Sequence, residues 1–293
     1  MRHRLMALLI LALGVAIMVI SGAELARTQQ VYTEADEAYE NLRDQIKFKA
    51  AKDEILPPTV LQLQIDKDKT DKTNKADKTD KTDKADKTDK TDKADAPPAF
   101  APNLGIPRLD INFEALKAVG HDSAAWLYSP GTEIDYPVMR SDDYNYYLSR
   151  LPDGTYNANG SLFIDFNSDP EFGDSLTIIY GHNMKSRSMF GSLTDYKSQK
   201  YFDEHRYMYL YTEQGDYRID LIYGFVIGAG KWREQAFMYK ENLEALLSYA
   251  SHNTTFESAA KYREGDRVVA LSTCSYDFDG ARYVVLGILR SER

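Results

Sequence analysis

The chain has 293 residues, 43% of them apolar and 12% aromatic, enough for one substantial hydrophobic core with accessory segments. Its formal charge is −9 and no basic patch stands out, which argues against a nucleic-acid partner. Cys274 is the single cysteine, so an internal disulfide is excluded and the thiol must be explained by packing or by reactivity.

In chain order the sequence divides into four parts. In residues 1–23, Arg2, His3 and Arg4 precede Leu5 to Ile20, a run with no charge and one glycine. This run is at the short end of what spans a bilayer of ~30 Å. The positive flank predicts a membrane anchor with the N-terminus cytoplasmic and the remainder extracellular. Ser21-Gly22-Ala23 leaves a cleaved signal peptide as the competing reading.

Residues 24–65 form a juxtamembrane segment predicted to be helical to about Leu56, before Pro57-Pro58. Leu25, Val31, Ala35, Ala38, Leu42, Ile46 and Phe48 make a patchy apolar stripe. A solvated helix is the expectation here, ahead of a coiled coil. Residues 66–96 are a linker built on Asp-Lys-Thr repeats. Between Asp66 and Asp95, ten aspartates and ten lysines cancel, and no apolar residue is larger than alanine. Such a segment cannot bury a core and is expected to be disordered, a spacer of about 30 Å r.m.s. span. Its aspartates make a poor metal site, since all but Asp95 sit beside a lysine and no glycine turn is present.

Residues 97–293 hold the main folded domain. Phe113 to Val119 reads as a short helix. Strand-like runs follow at 125–128, 136–139, 161–165, 176–180, 208–211, 217–227, 267–273 and 282–289, with an amphipathic helix at 240–250. Many short strands joined by glycine, proline and aspartate turns argue for a mostly β protein, a closed or nearly closed barrel.

Three residues stand at strand ends in this pattern. Cys274 ends one strand of a hairpin and Arg282 opens the next, so both emerge at one sheet edge. Leu176 to Tyr180 runs straight into Gly181-His182-Asn183. Taken singly, a buried free cysteine is usually a small hydrophobe, a histidine is usually surface or core, and an arginine is usually solvated. Together they are the set that thiol-based acyl transfer requires.

These words carry a resemblance. Ala270-Leu271-Ser272-Thr273-Cys274, Gly181-His182-Asn183 and Arg282-Tyr283-Val284-Val285 resemble the nucleophile, histidine and arginine words of the sortases. Class B sortases are the nearest match, with Ile134-Asp135-Tyr136-Pro137-Val138, Gly160-Ser161-Leu162-Phe163-Ile164-Asp165 and Ser188-Met189-Phe190-Gly191-Ser192-Leu193 in unbroken order. The resemblance implies an eight-stranded β-barrel with short helices behind an uncleaved membrane anchor. It implies a helix between Ile227 and Arg267 as one wall of the substrate groove.

It also implies a cysteine transpeptidase that cuts a C-terminal sorting signal of secreted proteins and holds the acyl group as a thioester. The acyl group then passes to an amine of peptidoglycan or of a lipid-linked precursor. No cofactor and no metal are implied. Cys274 is then the nucleophile and His182 the proton carrier. Arg282 favours the thiolate and binds the developing oxyanion; without such help, groups titrating near about 8.5 and 6.5 leave only ~1% of the pair ionised. The Ser275 backbone N–H is a candidate oxyanion donor, and Ser272 and Thr273 are candidate groove contacts, with strand packing the competing reading. A papain-like peptidase usually places cysteine before histidine, whereas His182 precedes Cys274 here. A binding module with an inert cysteine is the reading from another class. Pro97 to Arg108 lacks the Asp-Pro-aromatic lid word of pilin-polymerising sortases, which favours anchoring and leaves a class B-like pilin polymerase as the alternative.

Overall fold

A computed structural model of the protein describes residues 2–48, 107, 109–234, 237 and 239–291. The linker repeat, and the expected helix beyond Phe48, lie outside these residues. Helix α1 runs unbroken from Arg2 to Ile46. Among the described residues no helix is long and apolar enough to cross a membrane. The side chains of 1–5, 7–10 and 12 are not among those described.

The last third of α1 is not a solvated helix. Ala35, Tyr39, Leu42 and Ile46 follow each other at steps of four, three and four, which puts them on one face, and all four are buried against the barrel. Polar anchors surround this apolar stripe. The Tyr39 hydroxyl lies 2.7 Å from the Gly160 carbonyl and 2.9 Å from Ser161 Oγ. Burial pushes that phenol far above its ordinary pKa, so it stays neutral. Asn157 Nδ2 donates to the Val31 carbonyl at 3.1 Å. The Asp135 carboxylate receives both Lys47 Nζ and, at 2.8 Å, Trp126 Nε1. Burial draws the Lys47 ammonium down from its usual pKa, against the pull of Asp135.

After α1, strand β1 (Lys47–Phe48) pairs antiparallel with β2 (Asp110–Ile111), with Phe48 opposite Asp110. The described chain on the two sides of the linker is therefore held at one place. Helix α2 (Phe113–Val119) follows, capped by Asn112, whose Oδ1 accepts from the Ala115 N–H at 3.0 Å.

All eight predicted runs are strands. They are β3 (Ser123–Tyr128), β4 (Asp135–Met139), β5 (Leu162–Ile164), β6 (Leu176–Tyr180), β7 (Tyr207–Thr212), β8 (Gly215–Gly228), β9 (Val268–Cys274) and β10 (Ala281–Ser291). They close into a barrel in the order β10-β8-β7-β3-β4-β5-β6-β9. Neighbours are antiparallel except for β4–β5 and β6–β9, which are parallel. Short helices α3 (Gln199–Glu204) and α4 (Ala229–Trp232) punctuate the connections. The predicted excursion helix is α5 (Leu243–Asn253).

β9 is apolar at nearly every position because both its faces are covered. Val269 and Leu271 point into the barrel, and Val268 and Ala270 point outward into a second core under α5. Leu246 and Ala250 of the helix close that core over Phe225, Ile227, Val284 and Leu286. Alternation is thus absent from the sequence of β9 while present in its geometry.

Two outcomes follow. Leu42→Ala should lower unfolding free energy by about 2–4 kcal/mol, and a chain starting at residue 97 should fare worse, because each uncovers the barrel face that α1 seals; chemical denaturation measures both. Deleting residues 66–95 should leave the melting temperature unchanged, since a charge-balanced segment with no large apolar residue adds no core.

Candidate active site

The parallel pairing of β6 and β9 sends both strands to the same rim of the barrel. Tyr180 lies opposite Ser272. The Gly181 N–H then donates to the Ser272 carbonyl at 3.2 Å, and Thr273 Oγ1 donates to the Gly181 carbonyl at 2.8 Å. On the other side of β9, Cys274 and Arg282 are Cα partners in the antiparallel ladder with β10. Partners directly opposite in such a ladder sit roughly 5 Å apart. Since Val268 and Ala270 face outward, period two carries Cys274 outward as well. Arg282 shares a face with Val284 and Leu286, which are also outward. The thiol and the guanidinium therefore share one face of one rim, with His182 one step beyond the end of β6. All three are half-buried, neither sealed in the core nor fully solvated.

His182 is held by its ring. Its Nε2 lies 2.7 Å from the Leu148 carbonyl oxygen. A carbonyl can only accept, so Nε2 carries the proton and Nδ1 is the nitrogen able to exchange one. The following loop is folded tightly back, with the Phe190 N–H donating to the His182 carbonyl at 2.9 Å. Arg187 and Met189 take left-handed φ values of 72° and 54° in this turn. Gly181 has no room for a side chain. A Cβ there would lie 2.4 Å from Leu162 Cδ2 and 2.7 Å from Phe190 Cδ2, which explains the glycine before the histidine.

Of the other predicted residues, Ser272 is 2% exposed and its hydroxyl has no hydrogen-bond partner among the described residues. Thr273 is equally buried, and its hydroxyl is spent on the rung to Gly181. Ser275 differs from expectation. Its N–H donates to the Ala281 carbonyl at 2.9 Å, so the ladder has already used the donor foreseen for an oxyanion. Its hydroxyl instead donates to the Asp277 carboxylate and lies 3.2 Å from Lys197 Nζ. Among the described residues no group of histidine, cysteine, aspartate or glutamate is arranged to hold a metal.

Two features were not visible in the sequence. One is the Leu148 carbonyl, a backbone atom on a loop distant in sequence from His182. The other is the clasp of Lys197 on Asp277, 2.5 Å apart, which ties down the turn after Cys274. Lys197 and the Ser275 hydroxyl hold the Asp277 carboxyl below its usual pKa. The sign is that of a depressed acid: the clasp holds above the ordinary carboxylate range of about 4 and is lost as pH falls through the lowered value. Lys197→Met at neutral pH should therefore lower the protection factors of the amides at 276–280, as acidification does in the wild type once the intrinsic exchange rate is divided out, with little change in global melting.

No family model matches this chain. Sortase B of Listeria monocytogenes is 31% identical over 177 residues, covering 59% of this chain and 72% of that protein. The X-ray structure of Clostridium perfringens sortase B superposes with a TM-score of 0.57 at 28% identity, over 61% of this chain and 100% of that one. The Staphylococcus aureus sortase B–substrate complex gives the same TM-score at 24% identity, over 62% and 85% of the two chains. With the strand-end cysteine, histidine and arginine on one rim of an eight-stranded barrel, this degree of likeness places the chain in the class B sortases.

Proposed function

We propose that the protein cleaves a C-terminal sorting signal of secreted proteins and transfers the acyl fragment to an amine of peptidoglycan or of its lipid-linked precursor. As a class B sortase it is a cysteine transpeptidase. The observation that carries the residue assignment is the register of β9. Cys274 lies opposite Arg282 on one side, and the His182 segment is hydrogen-bonded to the other side. The Cys274 thiol passes its proton to His182 Nδ1 and the thiolate Sγ attacks the scissile carbonyl carbon, whose oxygen develops negative charge that the Arg282 guanidinium can meet with fixed N–H donors. As the intermediate collapses, the C–N bond breaks and His182 gives its proton to the leaving amine, which leaves a thioester on Cys274. The incoming amine loses a proton to His182, forms the new C–N bond and releases the thiolate. The staphylococcal relative solved with substrate, and a sortase B solved with a glycine tripeptide, support a peptide donor and an amine acceptor of this kind.

The same proposal places Leu5 to Ile20 in the cell membrane, N-terminus cytoplasmic and barrel extracellular. The support is the positive flank of Arg2, His3 and Arg4 and the exposure of Leu11, Leu13, Val15, Ile17, Met18, Val19 and Ile20. These residues go all round the helix, so no single docking face would cover them. At 1.5 Å per residue, the docked stripe from Ala35 begins roughly 20 Å along the helix from Ile20. The helix itself is then the mount of the enzyme.

Incubation of the full chain with a sorting-signal peptide, followed by mass spectrometry, should trap an acyl adduct on the peptide holding Cys274, and Cys274→Ala should give none. His182→Ala and Arg282→Ala should lower turnover by about three orders of magnitude with the fold intact, and Arg282→Lys should recover little, since an ammonium lacks the planar fork. An Arg282→Lys enzyme with most of its activity would reduce the arginine to a point charge. Protease shaving of intact cells should remove a C-terminal tag and spare an N-terminal one; the opposite pattern would overturn the topology.

A further inference from the structure

Where β6 ends, its ladder with β9 does not. After the rungs made by Gly181, the chain turns away, and the position of the next backbone rung is taken by a side chain. Asn183 Nδ2 donates to the carbonyl of Cys274 itself at 2.8 Å. His182 thus sits between two attachments to β9, one at Gly181 and one at Asn183. The far side of Asn183 is fixed in turn, through its antiparallel bridge to Met189 in the loop that folds back onto the His182 carbonyl. The carbonyl of Cys274 lies at the end of β9, in the rung where strand pairing would fray if nothing held it. Asparagine fits this position because its amide supplies an N–H without adding charge beside a thiolate.

We infer that Asn183 is a positioning residue for the transpeptidation: its amide locks the last residue of β9 and so sets the separation and alignment of Cys274 and His182. It touches neither substrate nor reacting atoms. Loss of the amide frees the Cys274 carbonyl, lets the strand end fluctuate, and lowers the fraction of time in which the sulfur and the imidazole are aligned for proton transfer. Such a loss acts on the chemical step and leaves substrate binding nearly untouched.

The inference rests on Cys274 and His182 being the reacting pair, which Cys274→Ala and His182→Ala test separately in the same assay. The experiment compares Asn183→Ala and Asn183→Gln in the full chain, following peptide cleavage, iodoacetamide alkylation of Cys274 across pH, and thermal melting. Expected for Asn183→Ala is a tenfold or greater fall in kcat with KM within about twofold, and half-maximal alkylation moved to higher pH. Asn183→Gln, which keeps an amide donor on a longer stem, should recover part of both. An Asn183→Ala enzyme with wild-type kcat and alkylation profile would overturn the inference. So would equal impairment of both variants with matching falls in melting temperature, which would make Asn183 a residue of the fold alone.

Discussion

The parallel contact between β6 and β9 is the seam on which the chemistry depends. It closes the barrel, and it is also the reason a histidine and a cysteine far apart in sequence share a rim. An antiparallel pairing would have put the end of β6 beside the start of β9, a full strand length from Cys274. With parallel strands, the ladder itself delivers both ends together, and the antiparallel β10 returns Arg282 to the same level. Cys274, His182 and Arg282 are thus placed mainly by backbone hydrogen bonds, which tolerate little displacement, and less by loop packing.

The seam is supported from both faces. Inside, Val269 and Leu271 lock β9 into the barrel core; outside, Val268 and Ala270 lie under α5 with Leu246 and Ala250. A strand covered on both sides has few ways to shift register, since a one-residue slip would reverse every side chain. Around the strand ends, small polar groups then fix what the ladder leaves loose. Thr273 holds Gly181, Leu148 orients the imidazole, and the Lys197–Asp277 pair restrains the turn beyond Ser275.

Helix α1 gives a different kind of support. Its stripe from Ala35 to Ile46 covers barrel surface, and the buried Tyr39 hydroxyl and Asp135 carboxylate find partners across that interface. Leaving either unpaired would be costly in a dry environment, so helix and barrel are coupled in stability. The β1–β2 pairing sets the end of this helix beside the segment that leads into the barrel.

Much of this protein is legible in its sequence because local chemistry decides it. Strand runs such as Leu176–Tyr180, the helix at Phe113–Val119, the hairpin that pairs Cys274 with Arg282 and the apolar N-terminal run all follow from nearby residues and turn signals. What lies across space is not so written. Tyr39 reads as one more tyrosine until Gly160 and Ser161 are seen beside it. The helix it belongs to reads as solvated, because an apolar stripe of four residues is too sparse to reveal its partner. Ser275 reads as an oxyanion donor until the Ala281 carbonyl claims its N–H. Sequence determines which segments form strands and which residue types can do the chemistry. The tertiary structure decides which donors and faces remain unspent, because hydrogen bonds and burial are allotted among residues far apart in the chain.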